Sequence, residues 1–186
     1  MITRIERDFF FLAGVHFDDA YYINSYDLML SFLVETDCPK EHHIAMSRLE
    51  HFIKDIMSNV VFVHRDEVDA IERYEAAGIR VCELPEHPLD QVVAIVLLLK
   101  MNAIMESRMK ITDVTIGSLL GEGVRYPIVS ELAESADMVS GNHWWHKPDK
   151  NVSDKDIEFN TDNVVKLFFD DDWVDMGLSW KDKTNI

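Results

Sequence analysis

Hydrophobic residues in the first 139 positions follow two patterns, short apolar runs and runs with helical spacing. Residues 8–16, DFFFLAGVH, form a nearly continuous apolar run, which is typical of a strand buried on both faces. The spacing of residues 23–35 predicts a helix. After Pro39, apolar residues recur three and four positions apart as far as Met57, which predicts an amphipathic helix.

The clearest unit covers residues 60–84. Residues 60–64 predict a short apolar strand, Asp66 is placed to cap a following helix, and Gly78 suits the left-handed position that ends it. Residues 79–84 predict a second strand. A strand, a helix and a strand with short links predict a βαβ unit, in which the two strands are parallel.

A buried helix and a β-hairpin are predicted next. Residues 88–109 are apolar nearly all round the middle of a helix, which places that helix in a core. Residues 110–118 and 124–129 predict two strands joined across LLGEG, and residues 130–139 a short helix. The expected fold is therefore α/β: a single domain over residues 1–139 with a mixed, partly parallel sheet.

The pattern changes at residue 140. Residues 140–163 are rich in Asn, Asp, Lys and Ser and contain few aliphatic side chains. A last apolar run, VVKLFF, then leads into the acidic and aromatic segment DDDWVDMGLSW. We expect residues 140–186 to form an extended C-terminal arm that packs on the domain.

The net charge restricts the class of partner. The chain has 34 acidic and 18 basic residues, a formal net charge of −16 spread over its whole length. Such a surface repels nucleic acid and anionic membranes and favours basic proteins, although solubility alone also explains it. The apolar run VVAIVLLL is too short to span a bilayer. Cys38 and Cys82 form no C-x-x-C pair, which fits a reducing cytoplasm.

Candidate binding residues lie in the arm. Exposed tryptophans often make the strongest contacts of an interface, and aspartates would meet a basic surface. The leading interpretation is a non-enzymatic acidic protein that binds and modulates a basic or nucleic-acid-processing protein, with self-association as a further alternative. The simpler explanation of the aspartate run is an edge strand and turn with its acids in water. The predicted contact residues are Trp144, Trp145, Phe168, Asp170, Asp171, Asp172 and Trp173.

An enzyme is the alternative interpretation. Ligands of parallel α/β sheets bind beyond the carboxyl ends of the strands. Asp18 and Asp19 follow the first predicted strand, and His64 and Asp66 follow the second. These side chains could hold Mg²⁺ or Mn²⁺ in a metal-dependent phosphoesterase or nucleotide-binding enzyme. A helix cap at Asp66 and a loop at the two aspartates are the simpler explanations, and the leading interpretation requires no cofactor.

Two further histidines flank the tryptophan pair in GNHWWHKPDK. His143 and His146 are three residues apart, a spacing that places ligands on one helix face in zinc sites. No cysteine pair and no H-E-x-x-H motif accompanies them. They are therefore more simply explained as polar neighbours of an aromatic anchor.

Three segments resemble uncharacterised accessory proteins of tailed bacteriophages. They are residues 84–108, the tryptophan pair in NHWWHKP, and DMGLSW at residues 175–180. The resemblance extends over part of the chain and includes no catalytic motif. It implies the cytoplasm of an infected bacterium as the setting, and it implies no activity and no site residues.

Overall fold

The structure is a computed structural model that describes residues 2–35, 39–141 and 143–148. These residues belong to one compact unit. The elements follow in the order β1 (Ile2–Phe17), β2 (Ala20–Glu35), α1 (Pro39–His51), a π-helical turn (Phe52–Ile56), β3 (Val61–His64), α2 (Val68–Ala76), β4 (Val81–Leu84), α3 (Asp90–Met105), β5 (Lys110–Ser118), β6 (Arg125–Val129) and α4 (Ser130–Glu134). Two short turns of 3-10 helix, Asp137–Val139 and Trp144–His146, come last.

The strands form one mixed sheet with the order β4-β3-β1-β2-β5-β6. Strand β3 runs parallel to β1 and to β4, whereas the pairs β1–β2, β2–β5 and β5–β6 are antiparallel. The predicted βαβ unit is therefore β3-α2-β4, and the predicted hairpin is β5–β6. Gly78 follows α2 with a φ of 74°, as the predicted helix end requires. The α/β class with a mixed, partly parallel sheet is confirmed.

The helix predicted for residues 23–35 is wrong. These residues belong to β2, which pairs with β1 on one side and β5 on the other. Ile23 and Leu33 are apolar but exposed, so the apolar residues of this segment also fit a helical spacing. Pairing on both sides satisfies the backbone hydrogen-bonding groups of β2, and it therefore favours the strand over the helix. The buried side chains alternate, as a strand requires: Asn24, Tyr26, Leu28, Leu30 and Phe32.

Asp18 and Asp19 form the two-residue turn between β1 and β2. Their φ angles are 52° and 58°. Positive φ at both central residues is the type I′ geometry, whose twist matches that of a hairpin, and aspartate tolerates it better than most residues. The first role of these two residues is thus to reverse the chain.

Helices α1, α3 and α4 pack on one face of the sheet. Eleven of the sixteen residues of α3 are buried, because the sheet covers one side of it and α1, α4 and residues 144–146 cover others. The prediction of a core helix is confirmed, with its ends at Asp90 and Met105. None of the described helices combines the length and the hydropathy needed to cross a membrane.

The opposite face of the sheet is covered only in part. Helix α2 packs over β3 and β4 and forms a second, small core there. On the β1–β2 hairpin, Phe10, Leu12 and Ile23 are 56%, 46% and 68% exposed. The prediction that residues 8–16 are buried on both faces is therefore wrong at Phe10 and Leu12, and it holds only for residues 13–16.

Residues 143–148 lie against α3. The buried indole of Trp145 donates from Nε1 to the carbonyl oxygen of Val139 at 3.3 Å. Lys100 of α3, also buried, donates from Nζ to the carbonyl oxygens of Trp144 at 3.3 Å and Lys147 at 2.5 Å. A core tryptophan and a buried ammonium group thus hold this segment on the helix.

Replacing Lys100 with methionine should loosen residues 144–147. Methionine has a similar length but no donor, so two carbonyl oxygens lose a charged partner. We expect the free energy of unfolding in urea to fall by about 1–3 kcal/mol. Lys110→Met is the control, because Lys110 is exposed and its ion pair with Glu134, at 3.8 Å, contributes little. Equal stability of both variants would show that the Lys100 hydrogen bonds do not hold the segment.

Candidate metal centre

The parallel strands β1, β3 and β4 are adjacent, so their carboxyl ends meet at one edge of the sheet. His16 is the penultimate residue of β1, and His64 is the last residue of β3. The link from β3 to α2 contributes Glu67, and the link from β4 to α3 contributes His87. Four side chains with metal-binding donors therefore lie where ligands of such sheets bind.

His64, Glu67 and His87 each place a donor atom within 4.8 Å of the other two. The distance from Glu67 Oε1 to His87 Nδ1 is 3.8 Å, and the ring centroids of His64 and His87 are 5.0 Å apart. Within the part of the chain that the structure describes, no other three His, Cys, Asp or Glu side chains converge in this way. His87 is more than half exposed, and its ring packs edge-on against Phe17 with ring centroids 5.5 Å apart.

A buried histidine orients Glu67. Glu67 Oε2 accepts from Nε2 of His16 at 2.9 Å, and the side chain of His16 is 3% exposed. The other ring nitrogen of His16, Nδ1, lies 3.0 Å from the hydroxyl of Tyr74. Partial burial raises the pKa of Tyr74, so the hydroxyl stays protonated and can donate. This row of hydrogen bonds fixes Oε2 of Glu67 and leaves Oε1 facing His87.

The start of α2 does not use its acidic residues as caps. Glu67 stands at the N-cap position but makes no capping hydrogen bond with its side chain, which turns to the histidines instead. Asp66, predicted as the cap, is one residue too early, so that prediction is wrong. Its Oδ2 lies 4.0 Å from Nε2 of His64. The helix therefore forgoes about 1 kcal/mol of capping energy at the point where the cluster forms.

Ring orientation at His64 is set by the backbone. Its Nε2 lies 3.2 Å from the carbonyl oxygen of Pro85, and because a carbonyl only accepts, this nitrogen donates. Ligation through Nδ1 would preserve this hydrogen bond, whereas ligation through Nε2 would replace it. A ligating imidazole with its second nitrogen bound to a carbonyl is a common arrangement in metal sites.

An open cavity of about 260 Å³ adjoins the cluster. Four acidic residues and one arginine line it, so its field favours cations. The attraction between these carboxylates and a cation is stronger in the cavity than in bulk water, because the protein around it lowers the local dielectric constant. The lining residues are His16, Asp19, Asp66, Glu67, Val68, Asp69, Ala70 and Arg73.

Three of the four residues predicted from the strand ends lie at this edge. His64 and Asp66 approach to 4.0 Å, and Asp19 lines the cavity together with Asp66. Asp18 does not line the cavity and serves the hairpin turn. The strand-end geometry was thus a useful guide, although most of the converging donors come from other residues.

Sequence reasoning missed His16, Glu67 and His87. One signal was available, because FLAGVHF and VVFVH are both apolar runs with Val-His at or next to the end. Two parallel neighbouring strands with this pattern bring the two histidines to one edge. Glu67 was not selected as a candidate ligand because an acidic residue before a helix is normally explained as a cap. His87 lies in a proline-flanked link that no periodicity marks.

The tryptophan pair has a structural position. Trp145 is 2% exposed, and Trp144 is half-buried and donates from Nε1 to a backbone carbonyl of β4 at 2.9 Å. Trp145 offers no surface to a partner while the segment lies on α3. His143 stacks on Trp145 with ring centroids 4.5 Å apart, and His146 bonds a backbone carbonyl at 2.8 Å. Neither histidine belongs to a group of three donors among the described residues.

The rest of the predicted arm, residues 140–186, falls mostly outside the described residues. Its binding role stays a prediction, as does the boundary proposed at residue 140. The predicted contact residues that lie outside the described part of the chain are Phe168, Asp170, Asp171, Asp172 and Trp173.

Comparison with protein-family models gives no match, and no curated protein matches the chain. Among solved structures, the chain is similar to the uncharacterized protein WS1659 from Wolinella succinogenes. The sequence identity is 12%, the TM-score is 0.46, and the match covers 69% of this chain and 98% of that one. This likeness assigns neither a family nor a function.

Proposed function

We propose that this protein binds a divalent transition metal ion through His64, Glu67 and His87 and uses it to hydrolyse a phosphoester. The convergence of their three donor atoms within 4.8 Å, beyond the ends of parallel strands, carries the proposal. Two imidazoles and a carboxylate suit zinc and neighbouring transition metals, whereas magnesium prefers oxygen ligands. We therefore expect zinc to bind in preference to the Mg²⁺ that the strand-end aspartates alone would favour.

The neighbouring side chains have complementary roles in this proposal. Three protein ligands leave one position on a tetrahedral ion for water or a substrate oxygen, as in catalytic zinc sites. Asp66 lines the cavity and is 79% exposed, and in this proposal it would accept a proton from the attacking water. His16 acts as a positioning residue, because it holds the carboxylate of Glu67.

Charge makes the proposed reaction depend on the metal. The cavity has an excess of acidic residues, so it repels an anionic phosphoester while no cation is bound. A bound divalent ion would offset this repulsion, and Arg73 at the cavity wall would add positive charge for the substrate. We expect no hydrolysis in the presence of a chelator.

Replacing His87 with alanine should lower the affinity of the full-length protein for zinc by at least about 10–100-fold, since one of three ligands is lost and a ligand contributes no less than an outer partner of a ligand does. Calorimetric titration of chelator-treated protein measures this affinity. His51→Ala is the matched control: both histidines are 55% exposed, and each lies near one carboxylate. The control should bind zinc as the unaltered protein does.

Two results would contradict the proposal. If the unaltered protein binds no zinc, or if His51→Ala loses as much affinity as His87→Ala, the cluster is not a metal centre. If zinc binds at the cluster but bis(4-nitrophenyl) phosphate is not hydrolysed beyond the rate of free zinc, the site exists and the hydrolytic function is wrong.

A further inference from the structure

A second region of interest lies on the side of the β1–β2 hairpin that faces away from α1, α3 and α4. The strand register places Phe10 of β1 opposite Asp27 of β2, and Asp8, Leu12 and Ile23 lie on the same side. We call these five residues the hairpin face. All five are exposed, whereas α2 packs over β3 and β4 and contacts the hairpin at His16 and Tyr21 through its Tyr74.

The apolar part of the hairpin face is continuous. Phe10 and Leu12 are two positions apart on β1, and Ile23 is the diagonal neighbour of Leu12, whose direct partner is Ser25. Diagonal neighbours on one sheet face lie within reach of large side chains. Exposed apolar groups that cluster in this way mark interaction surfaces more often than single exposed residues do.

The acidic part lies at one end of the same surface. Asp27 pairs with Phe10, and Asp8 is two positions before Phe10, so both carboxylates border the aromatic ring. Of the arginines on these strands and their neighbours, Arg4 pairs with Asp113 at 3.3 Å and Arg7 pairs with Glu50. The side chain of Arg125 lies over Gly117, the residue opposite Asp27 on β5. No Lys or Arg nitrogen of the described residues lies within 4.0 Å of either Asp8 or Asp27.

We propose that the hairpin face binds a basic amphipathic segment of another protein. Apolar side chains of that segment would cover Phe10, Leu12 and Ile23, and its Lys or Arg side chains would meet Asp8 and Asp27. Charge complementarity supports this occupant, because the chain has a net charge of −16 and attracts basic partners over a distance.

The same charges argue against other occupants. A second copy of this chain would bring an equally acidic molecule to the surface, with like charges meeting around Asp8 and Asp27. Nucleic acid and anionic membranes are repelled in the same way. The inference does not depend on the metal centre, since the two sites share no residue. It also gives the basic partner expected from the sequence a contact surface different from the C-terminal arm.

The test uses the full chain and two synthetic peptides of equal charge, one an amphipathic leucine–lysine helix and the other a serine–lysine sequence. We expect the leucine–lysine peptide to bind at least about tenfold more tightly, because only it can cover the apolar residues. Phe10→Thr with Ile23→Thr should remove this preference. Threonine suits exposed strand positions, so this double variant should keep the melting temperature of the unaltered protein.

A charge-matched pair of variants tests the role of the carboxylates. Asp8→Asn with Asp27→Asn should weaken leucine–lysine binding by about tenfold and reduce its dependence on salt. Glu72→Gln with Glu75→Gln removes the same charge from exposed positions of α2 and should weaken it much less.

Three outcomes would overturn the inference. The first is equal loss of affinity in the two charge variants, which would mean that only net charge attracts the peptide. The second is unchanged binding after the two threonine substitutions. The third is a dimer in sedimentation that these substitutions dissociate, which would assign the hairpin face to a second copy of the chain.

Discussion

Replacing Trp145 with alanine is expected to lower the free energy of unfolding by about 3–5 kcal/mol, the usual cost of removing a large aromatic side chain from a core. Trp145 is among the largest fully buried side chains and contacts Trp144 edge-on, with ring centroids 5.6 Å apart. Its Nε1 also donates to a carbonyl oxygen that alanine would leave without this partner. Urea denaturation followed by circular dichroism measures the change.

Trp144→Ala is the matched control for this experiment. Trp144 is half-buried, so we expect a loss of about 1–2 kcal/mol. A Trp145→Ala variant as stable as the unaltered protein would contradict the docked position of residues 143–148. It would then favour the sequence-based hypothesis, in which both tryptophans are exposed for a partner.

The second large effect is expected at Glu67. Glu67→Ala removes a metal ligand and should lower zinc affinity more than about 100-fold, since even outer partners of ligands contribute 10–100-fold. It also leaves Nε2 of the buried His16 without its acceptor, so the metal-free protein should lose about 1–3 kcal/mol of stability. Calorimetry and urea denaturation measure the two losses separately.

Glu67→Gln separates ligation from structure. Its amide oxygen can still accept from His16, but it lacks the charge that binds a metal ion strongly. We expect metal-free stability close to that of the unaltered protein together with greatly weakened zinc binding. If Glu67→Gln binds zinc normally, Glu67 is not a ligand and only stabilises His16.

Local patterns were sufficient for several elements of the fold. Helix α3 was predictable because a long segment that is apolar all round has to lie in a core. The unit from β3 to β4 was predictable because Gly78 and the short links leave few alternatives. Strand β2 was not, because its apolar residues satisfy both periodicities and only its pairing with β1 and β5 decides between them.

The candidate site shows a different limit. Sequence reasoning placed His64, Asp19 and Asp66 at the correct edge because strand direction fixes where the ends of parallel strands meet. It could not find Glu67 or His87, since their approach depends on the conformation of two links and on the hydrogen bond from His16 to Glu67. Residues brought together by loops leave no spacing pattern in the sequence.

The β1–β2 hairpin has a further consequence for folding in the cell. Two residues join its strands, so it can close early, whereas β3 must return to β1 from a distant part of the chain. An early hairpin with exposed Phe10, Leu12 and Ile23 is a hazard, because unfinished strands of neighbouring chains can stack on it. Asp8 and Asp27 lie at the border of these residues, and we expect their charges to disfavour such stacking of nascent chains.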